Sequence, residues 1–492
     1  MTIKWPDISR RQLYFLIPLA FLLLGFFGRS LYYYRGIYFA PDVPTSEVQP
    51  VAVLSQPRQA EPVVADGDSV VLIDNSHLNK FSDEEMTSFF GRITAAGGRV
   101  EVILPLHDDE LEARLRGAAA FVVFANQEFY EQDELVLLEN FVERGGRLLI
   151  AGDPTRITFV NAINSLSGHF GIIYEDDYIY NLVRNDGNYL NVILHEFAED
   201  PITAGIDEIV VRAAHSIRAA EGSLVFGDAD TYSSLRETPG DVVAAALTTE
   251  GNVLALPDLT FLTGPYNTFA DNDLFMDNVV AWLLGGERQY EVLDFPHFFE
   301  ESVEFVYTDS SFLQQTFSTA SDLRTALQAA GLTPNQDDNL LPGEQALVVA
   351  QYAGLDSSIR QLLSDDGVRV NSVGNLINLQ DIGEIDRSGS VLFHLHQEDN
   401  GAYQLIILVD SAEDLERGVS LLLEDEFERC VLRPQTALCS PDSLATPTPT
   451  ATPTSTPSAT NGEVEGQETE PAPATEEPTP SPTPTPTATA SG

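Results

Sequence analysis

The chemistry that this 492-residue sequence could perform rests first on three side chains: Asp74, His77 and Asp153. Asp74 ends the apolar run SVVLID and is followed closely by Asn75, His77 and Asn79, while Asp153 ends RLLIAGD. Two carboxylates and one imidazole are a donor set for a hard or borderline metal ion, and equally an acid and a base. Asn126 and Gln127 follow a further apolar run, AAAFVVFA, and Asp258 follows GNVLALP. Polar residues placed directly after short apolar runs stand at the carboxyl ends of strands, the rim where open α/β sheets bind their ligands. A purely structural role competes with this, because Asp and Asn after strands also close turns and cap helices. The candidate ligand-binding residues are therefore Asp74, Asn75, His77, Asn126, Asp153 and Asp258. No catalytic residue, metal or cofactor is assigned.

Other chemistry finds little footing. The sequence has no G-x-S-x-G or G-x-C-x-G elbow, no P-loop and no G-x-G-x-x-G. His394 and His396 alternate along one strand pattern but lack a third and fourth ligand in sequence. Cys430 and Cys439 are the two cysteines, close together and with no zinc-binding pattern around them. They form a candidate disulfide in an oxidising compartment and incidental thiols in a reducing one.

These residues need elements to position them. Val70–Ile73, Val100–Leu104, Phe121–Phe124 and Leu148–Ile150 are short apolar runs separated by helical spacing, which predicts four neighbouring parallel strands. Ser82 and Glu85 form a capping-box pattern ahead of Met86, Phe89, Phe90 and Ile93, the apolar face of a helix. Gly97-Gly98 and Gly145-Gly146 stop two helices. SLVFGDA, DVVAAALT and GNVLALPD predict three more strands around a less regular stretch from Ile157 to Glu221, and residues 272–284 a closing helix. A second α/β segment follows, with strands SVEFVYT, QALVVA, SVLFHLH and YQLIILV and helices near 323–330, 355–363 and 412–423.

Outside these segments the composition changes. Leu13 to Gly28 holds no charge, is preceded by Lys4, Arg10 and Arg11, and is followed by Arg29, three tyrosines and Arg35. The sixteen-residue run is shorter than a bilayer core of ~30 Å, and the flanking tyrosines and arginine extend it to a span. A cleaved signal peptide is the competing reading, although Phe26-Phe27-Gly28-Arg29 offers no small-x-small cleavage site. Residues 41–68 form a proline-rich linker, and from Ala445 the Thr-Pro repeats cannot bury a core, which predicts a disordered, extended tail. The formal net charge of −49 repels nucleic acid, and Lys4 and Lys80 are the only lysines.

IDNSHLNKFSDEE, FVERGGRLLIAGD and NVLALPDLTFLTGPYNTFADNDLFMDNVVAWLLGG together resemble an uncharacterised bacterial domain family related to auxiliary proteins of gliding-motility-type ABC transporters. The resemblance covers about residues 69–286 and implies a class I glutamine-amidotransferase-like fold in an envelope setting. It does not imply glutamine hydrolysis, because the nucleophilic cysteine is absent; Pro257-Asp258 also stands where the family usually has Gly-Asp. The expected architecture is thus an anchor over 1–40, with a transmembrane helix over about 13–34, then the 41–68 linker. A mostly parallel doubly wound α/β sheet, amidotransferase-like or flavodoxin-like, follows over 69–286, a second smaller α/β domain over 302–440, and the tail over 445–492. The expected role is a non-catalytic ligand-binding or assembly protein, single-pass in the cell membrane with its bulk outside the cytoplasm. An accessory subunit of an ABC-type exporter and a metal-dependent hydrolase using Asp74, His77 and Asp153 are the alternatives. The expected partners are the membrane, through the N-terminal helix, and an envelope or transporter protein.

This reading predicts that protease added to intact cells removes the Thr/Pro tail and leaves the anchor. Protection of the tail until the membrane is opened reverses the orientation.

Overall fold

A computed structural model describes residues 9–34, 69–104, 108–156, 159–337, 339–371, 374–380, 382–427 and 429–440. The predicted linker and tail lie outside these residues. Helix α1, Arg10–Tyr34, has 25 residues and is long and apolar enough to cross a membrane, a property that a signal sequence shares. At 1.5 Å per residue it measures ~37 Å.

The principal sheet begins with β1, Val70–Asp74, whose side chains are apolar on both faces, as a strand covered on both sides requires. Val71 and Ile73 enter one core, and Leu72 enters the other. Helix α2, Asp83–Ala95, starts at the Ser82 cap, where Ser82 N–H donates to Glu85 Oε1 at 2.8 Å and Glu85 N–H to Ser82 Oγ at 3.4 Å. Its Met86, Phe89 and Ile93 are buried on the first core. Strand β2, Arg99–Ile103, helix α3, Asp108–Arg116, strand β3, Ala118–Phe124, helix α4, Gln132–Glu143, and strand β4, Arg147–Ala151, follow in alternation. Leu135, Leu138 and Phe141 of α4 lie in the second core, across the sheet from α2.

Strands β2, β1, β3, β4 and Val253–Leu256 are adjacent in that order and parallel throughout. Taken in chain order this is 2-1-3-4-5, the flavodoxin-like arrangement, in which the winding reverses between β1 and β3. The sheet then departs from the mostly parallel expectation. Val243–Leu247 runs antiparallel to Val253–Leu256, and Ile217–Ala219 and Ile172–Tyr174 continue the antiparallel half. The cause is local: Gly251 N–H donates to Thr248 O at 2.8 Å with Gly251 at φ +77°, so the two strands join in a tight reversal. A parallel pair needs a crossover of a dozen residues or more.

A second sheet of seven strands has the order Thr333–Asp337, Ser302–Tyr307, Ala346–Gln351, Tyr403–Val409, Val391–Gln397, Thr436–Cys439, Val431–Arg433. Its first four strands are parallel and the remainder antiparallel. One edge strand carries Pro334 and polar neighbours; the other belongs to a hairpin whose Cys430 and Cys439 are joined as a disulfide. The helix at Ala412–Glu424 is capped by Ser411 and packs Leu415, Val419 and Leu422 against this sheet's core.

The disulfide closes a loop with a sequence separation of 9. Constraining so short a loop in the unfolded chain stabilises by about 2–3 kcal/mol. Cys430→Ser is expected to lower the thermal midpoint by several degrees in calorimetry, and an unchanged midpoint would show that the bond does not constrain the unfolded chain.

Candidate functional site

The parallel strands place their polar residues on one rim, where one device recurs. Asp74, Asp153 and Asp258 each follow or end a parallel strand, and each has Ser or Thr two positions on. Asp74 Oδ1 accepts the Ser76 N–H at 2.9 Å, Asp153 Oδ1 the Thr155 N–H at 2.8 Å, and Asp258 Oδ1 the Thr260 N–H at 2.7 Å. All three aspartates are fully buried. The Asp-x-Ser/Thr spacing is visible in sequence and is the signal that identifies these turns.

Around Asp74 the structure builds a closed ionic network. His77 Nδ1 lies 3.0 Å from Asp74 Oδ2, and His77 Nε2 lies 3.2 Å from the Glu134 carboxylate. The Tyr130 hydroxyl donates to Asp74 Oδ2 at 2.6 Å, and its ring stacks on the imidazole with centroids 3.8 Å apart. Burial opposes a charge on His77, but the hydrogen bonds and charges of Asp74 and Glu134 prevail and push its pKa up to about 9. Burial would likewise raise Asp74, yet hydrogen bonds and charge from His77, with Ser76 and Tyr130, hold it below the usual carboxylate range. The ring is thus an imidazolium at neutral pH, donating from both nitrogens. Glu134 and Tyr130 lie at and just before the start of α4, 57 and 53 residues from His77, and no local pattern in the sequence links them to it.

Asp153 belongs to a different cluster. It lies two strands from Asp74, ~10 Å at the usual strand spacing. The β4 register carries Asp153 level with Asp258 on the adjacent strand end. Arg156 Nε donates to Asp153 Oδ2 at 2.9 Å, and the Thr260 hydroxyl reaches the same oxygen at 3.3 Å. Asp258 Oδ2 accepts the Arg212 N–H at 2.7 Å. Complete burial, and then the neighbouring Asp153 charge, push the Asp258 pKa up to about 7 against these hydrogen bonds. His215, also buried, donates from Nδ1 to Glu175 O at 2.8 Å, while burial lowers its pKa.

The remaining candidates serve the loops. Asn75 N–H donates to Ile103 O at 3.0 Å, tying the β1 exit to β2. Asn126 Nδ2 donates to Glu128 O at 2.9 Å, but its buried Oδ1 has no partner, and Asn79 lacks a partner at both amide atoms. Leu78, Ala125 and Ala213 have φ of 51°, 45° and 47°, in the left-handed region that costs a non-glycine residue about 1–2 kcal/mol. Ala125 directly follows β3, the position where a nucleophile elbow would present its reactive side chain, and it offers only a methyl group. Among the described residues, no group of three or more His, Cys, Asp or Glu has the geometry to hold a metal ion. His394 and His396 instead share one oxygen of Asp366, each at 2.7 Å, with Thr436 Oγ1 3.0 Å from the other nitrogen of His394.

No family model and no curated protein matches this chain. Among solved structures it is similar to an mmIFT52 N-terminal domain, at 14% identity over 44% of this chain and 99% of that one, with a TM-score of 0.39. It is also similar to ThuA-like proteins from Bacteroides uniformis (12% identity, 46% of this chain and 94% of that one, TM-score 0.28) and Parabacteroides merdae (11%, 46% and 93%, TM-score 0.30).

The His77 network has a definite pH signature. A folded-state pKa raised from 6.5 to about 9 contributes stability that is complete below about 6.5 and is lost as the pH rises through 9. His77→Ala leaves Asp74 and Glu134 without their common cation and is expected to cost about 3–5 kcal/mol near neutrality. Denaturant unfolding of both proteins from pH 6 to pH 10 should show this gap narrowing between about pH 6.5 and pH 9 and level above it; a gap independent of pH would remove the imidazolium assignment.

Proposed function

We propose that the chain is a membrane-anchored protein of the cell envelope whose α/β body lies outside the cytoplasm and binds a ligand or partner without transforming it. The observation that carries this reading is the Asp74–His77–Glu134 network. A general base must be free to accept a proton near the working pH. His77 is already protonated there and clamped on both nitrogens. Asp153 is committed to Thr155 and Arg156, and the strained Ala125 position carries no reactive group. The rim carboxylates are hydrogen-bonded and the rim loops hold strained backbone, which suits recognition better than proton transfer.

The anchor and compartment are supported by the length and composition of α1, by the Cys430–Cys439 disulfide, and by the Thr/Pro sequence beyond Ala445. A Ser76 Oγ to His77 Nδ1 distance of 3.0 Å gives the outline of a nucleophile–base pair, but the same hydroxyl donates to Asp74, and the ring has no lone pair to offer.

The binding reading and the hydrolase reading differ in their response to metal. A hydrolase built on Asp74, His77 and Asp153 gains stability on loading Zn²⁺ or Mn²⁺, because an ion bound only by the folded state shifts unfolding. The thermal midpoint of the purified full chain is expected to stay within about a degree on adding either ion or EDTA. A rise of several degrees that Asp74→Asn abolishes would favour the hydrolase.

A further inference from the structure

The winding of the sheet reverses between β1 and β3, and in such sheets the crevice at that point is where ligands bind. The loops leaving these two strands meet there, with Lys80 N–H donating to Ala125 O at 3.3 Å. Beside them opens a depression of about 550 Å³ lined by Asn79, Lys80, Phe81, Ser82, Glu85 and Arg156. That volume lies within the range of small-molecule sites.

Asn79 is 94% buried, since 6% of it is exposed, and neither its amide nitrogen nor its amide oxygen has a partner; nearby Asn126 is fully buried with an unpartnered oxygen. Buried amides are ordinarily satisfied, so these groups call for a partner from outside the chain. The depression also carries one cation that no described carboxylate pairs with. Lys80 is exposed, is the sole lysine after Lys4, and has no ion pair among the described residues. Arg156 spends Nε on Asp153 and Nη1 on Glu85 and the Lys80 carbonyl, leaving Nη2 without a partner among the described residues.

We infer that this depression is the binding site for a small organic carboxylate that carries a second hydrogen-bonding group, an amino or hydroxy acid in chemical type. Lys80 and the free edge of Arg156 meet the carboxylate, Asn79 meets the second group, and Phe81 supplies an apolar wall. Glu85 in the lining selects a monoanion over a phosphate, whose second charge it repels. This inference rests on the binding reading above and gives it a ligand class.

The scarcity of lysine makes the test direct. Reductive ¹³C-methylation of the full chain in detergent labels Lys80, Lys4 and the amino terminus, and it keeps the lysine charge. Lactate, acetate, acetamide and inorganic phosphate are then titrated at constant ionic strength. The Lys80 signal is expected to move and saturate with lactate, more weakly with acetate, while the Lys4 signal stays still. Lys80→Gln should remove the moving signal, and in calorimetry should weaken lactate about tenfold, the loss expected of one charge-assisted contact. Asn79→Leu should weaken lactate towards acetate, whereas the remote Arg433→Gln should change nothing. Movement with acetamide alone would overturn the carboxylate assignment and leave the binding reading standing. Equal movement of Lys4 and Lys80, or none with any probe, would leave bound water as the partner of Asn79 and overturn the site.

Discussion

Parallel strands that end together leave their last backbone groups pointing at one rim, and each chain must turn there without wasting a donor. The side chain that solves this is a buried aspartate whose oxygen accepts the N–H two residues on, at Asp74, Asp153 and Asp258 alike. A buried carboxylate brings a charge that must be answered. The first strand end answers with His77 and Tyr130, the second with Arg156, and the third partly with a proton of its own, since Asp258 titrates near neutrality. The electrostatics of the whole rim thus descend from a requirement of turn geometry. The same requirement explains why residues with catalytic chemistry collect here without forming a catalytic arrangement.

The sequence made the parallel half of the sheet legible because its central strands are nearly unbroken apolar runs between helical spacings, while the edge strand Arg99–Ile103 alternates charged and apolar residues. Val70–Asp74, Ala118–Phe124 and Arg147–Ala151 are buried along nearly their full length, and such strands have no alternation that a helix pattern could obscure. The capping box at Ser82 and the helix at residues 272–284 were legible for equally local reasons. The region from 157 to 221 was not. Its strands, such as Ile172–Tyr174 and Ile179–Asn181, are three residues long, too short for a period to register. Thr333–Asp337 reads TPNQD, which has strand conformation only because Ser302–Tyr307 supplies a partner.

The site was legible to a similar depth. Asp74 and His77 are three residues apart, and proximity alone suggested that they meet. Their separation from Asp153 depends on β3 lying between the strands, and strand order is a tertiary fact. The role of Glu134 was hidden for the same reason: a glutamate in the first turn of an amphipathic helix looks like an ordinary surface charge, and only the fold brings it to a histidine 57 residues away.

The two borders of the second sheet have a consequence for how copies of this molecule meet. An exposed strand edge is a template for pairing with another chain, and proteins that crowd together must suppress it. At one border Pro334 removes a donor from an already polar strand, and at the other a covalently pinned hairpin fixes the outermost strand in place. Neither border offers a long, flat, apolar ladder. The sheet is finished as a closed article rather than an extensible one, so self-assembly by strand addition has no convenient starting point at either end.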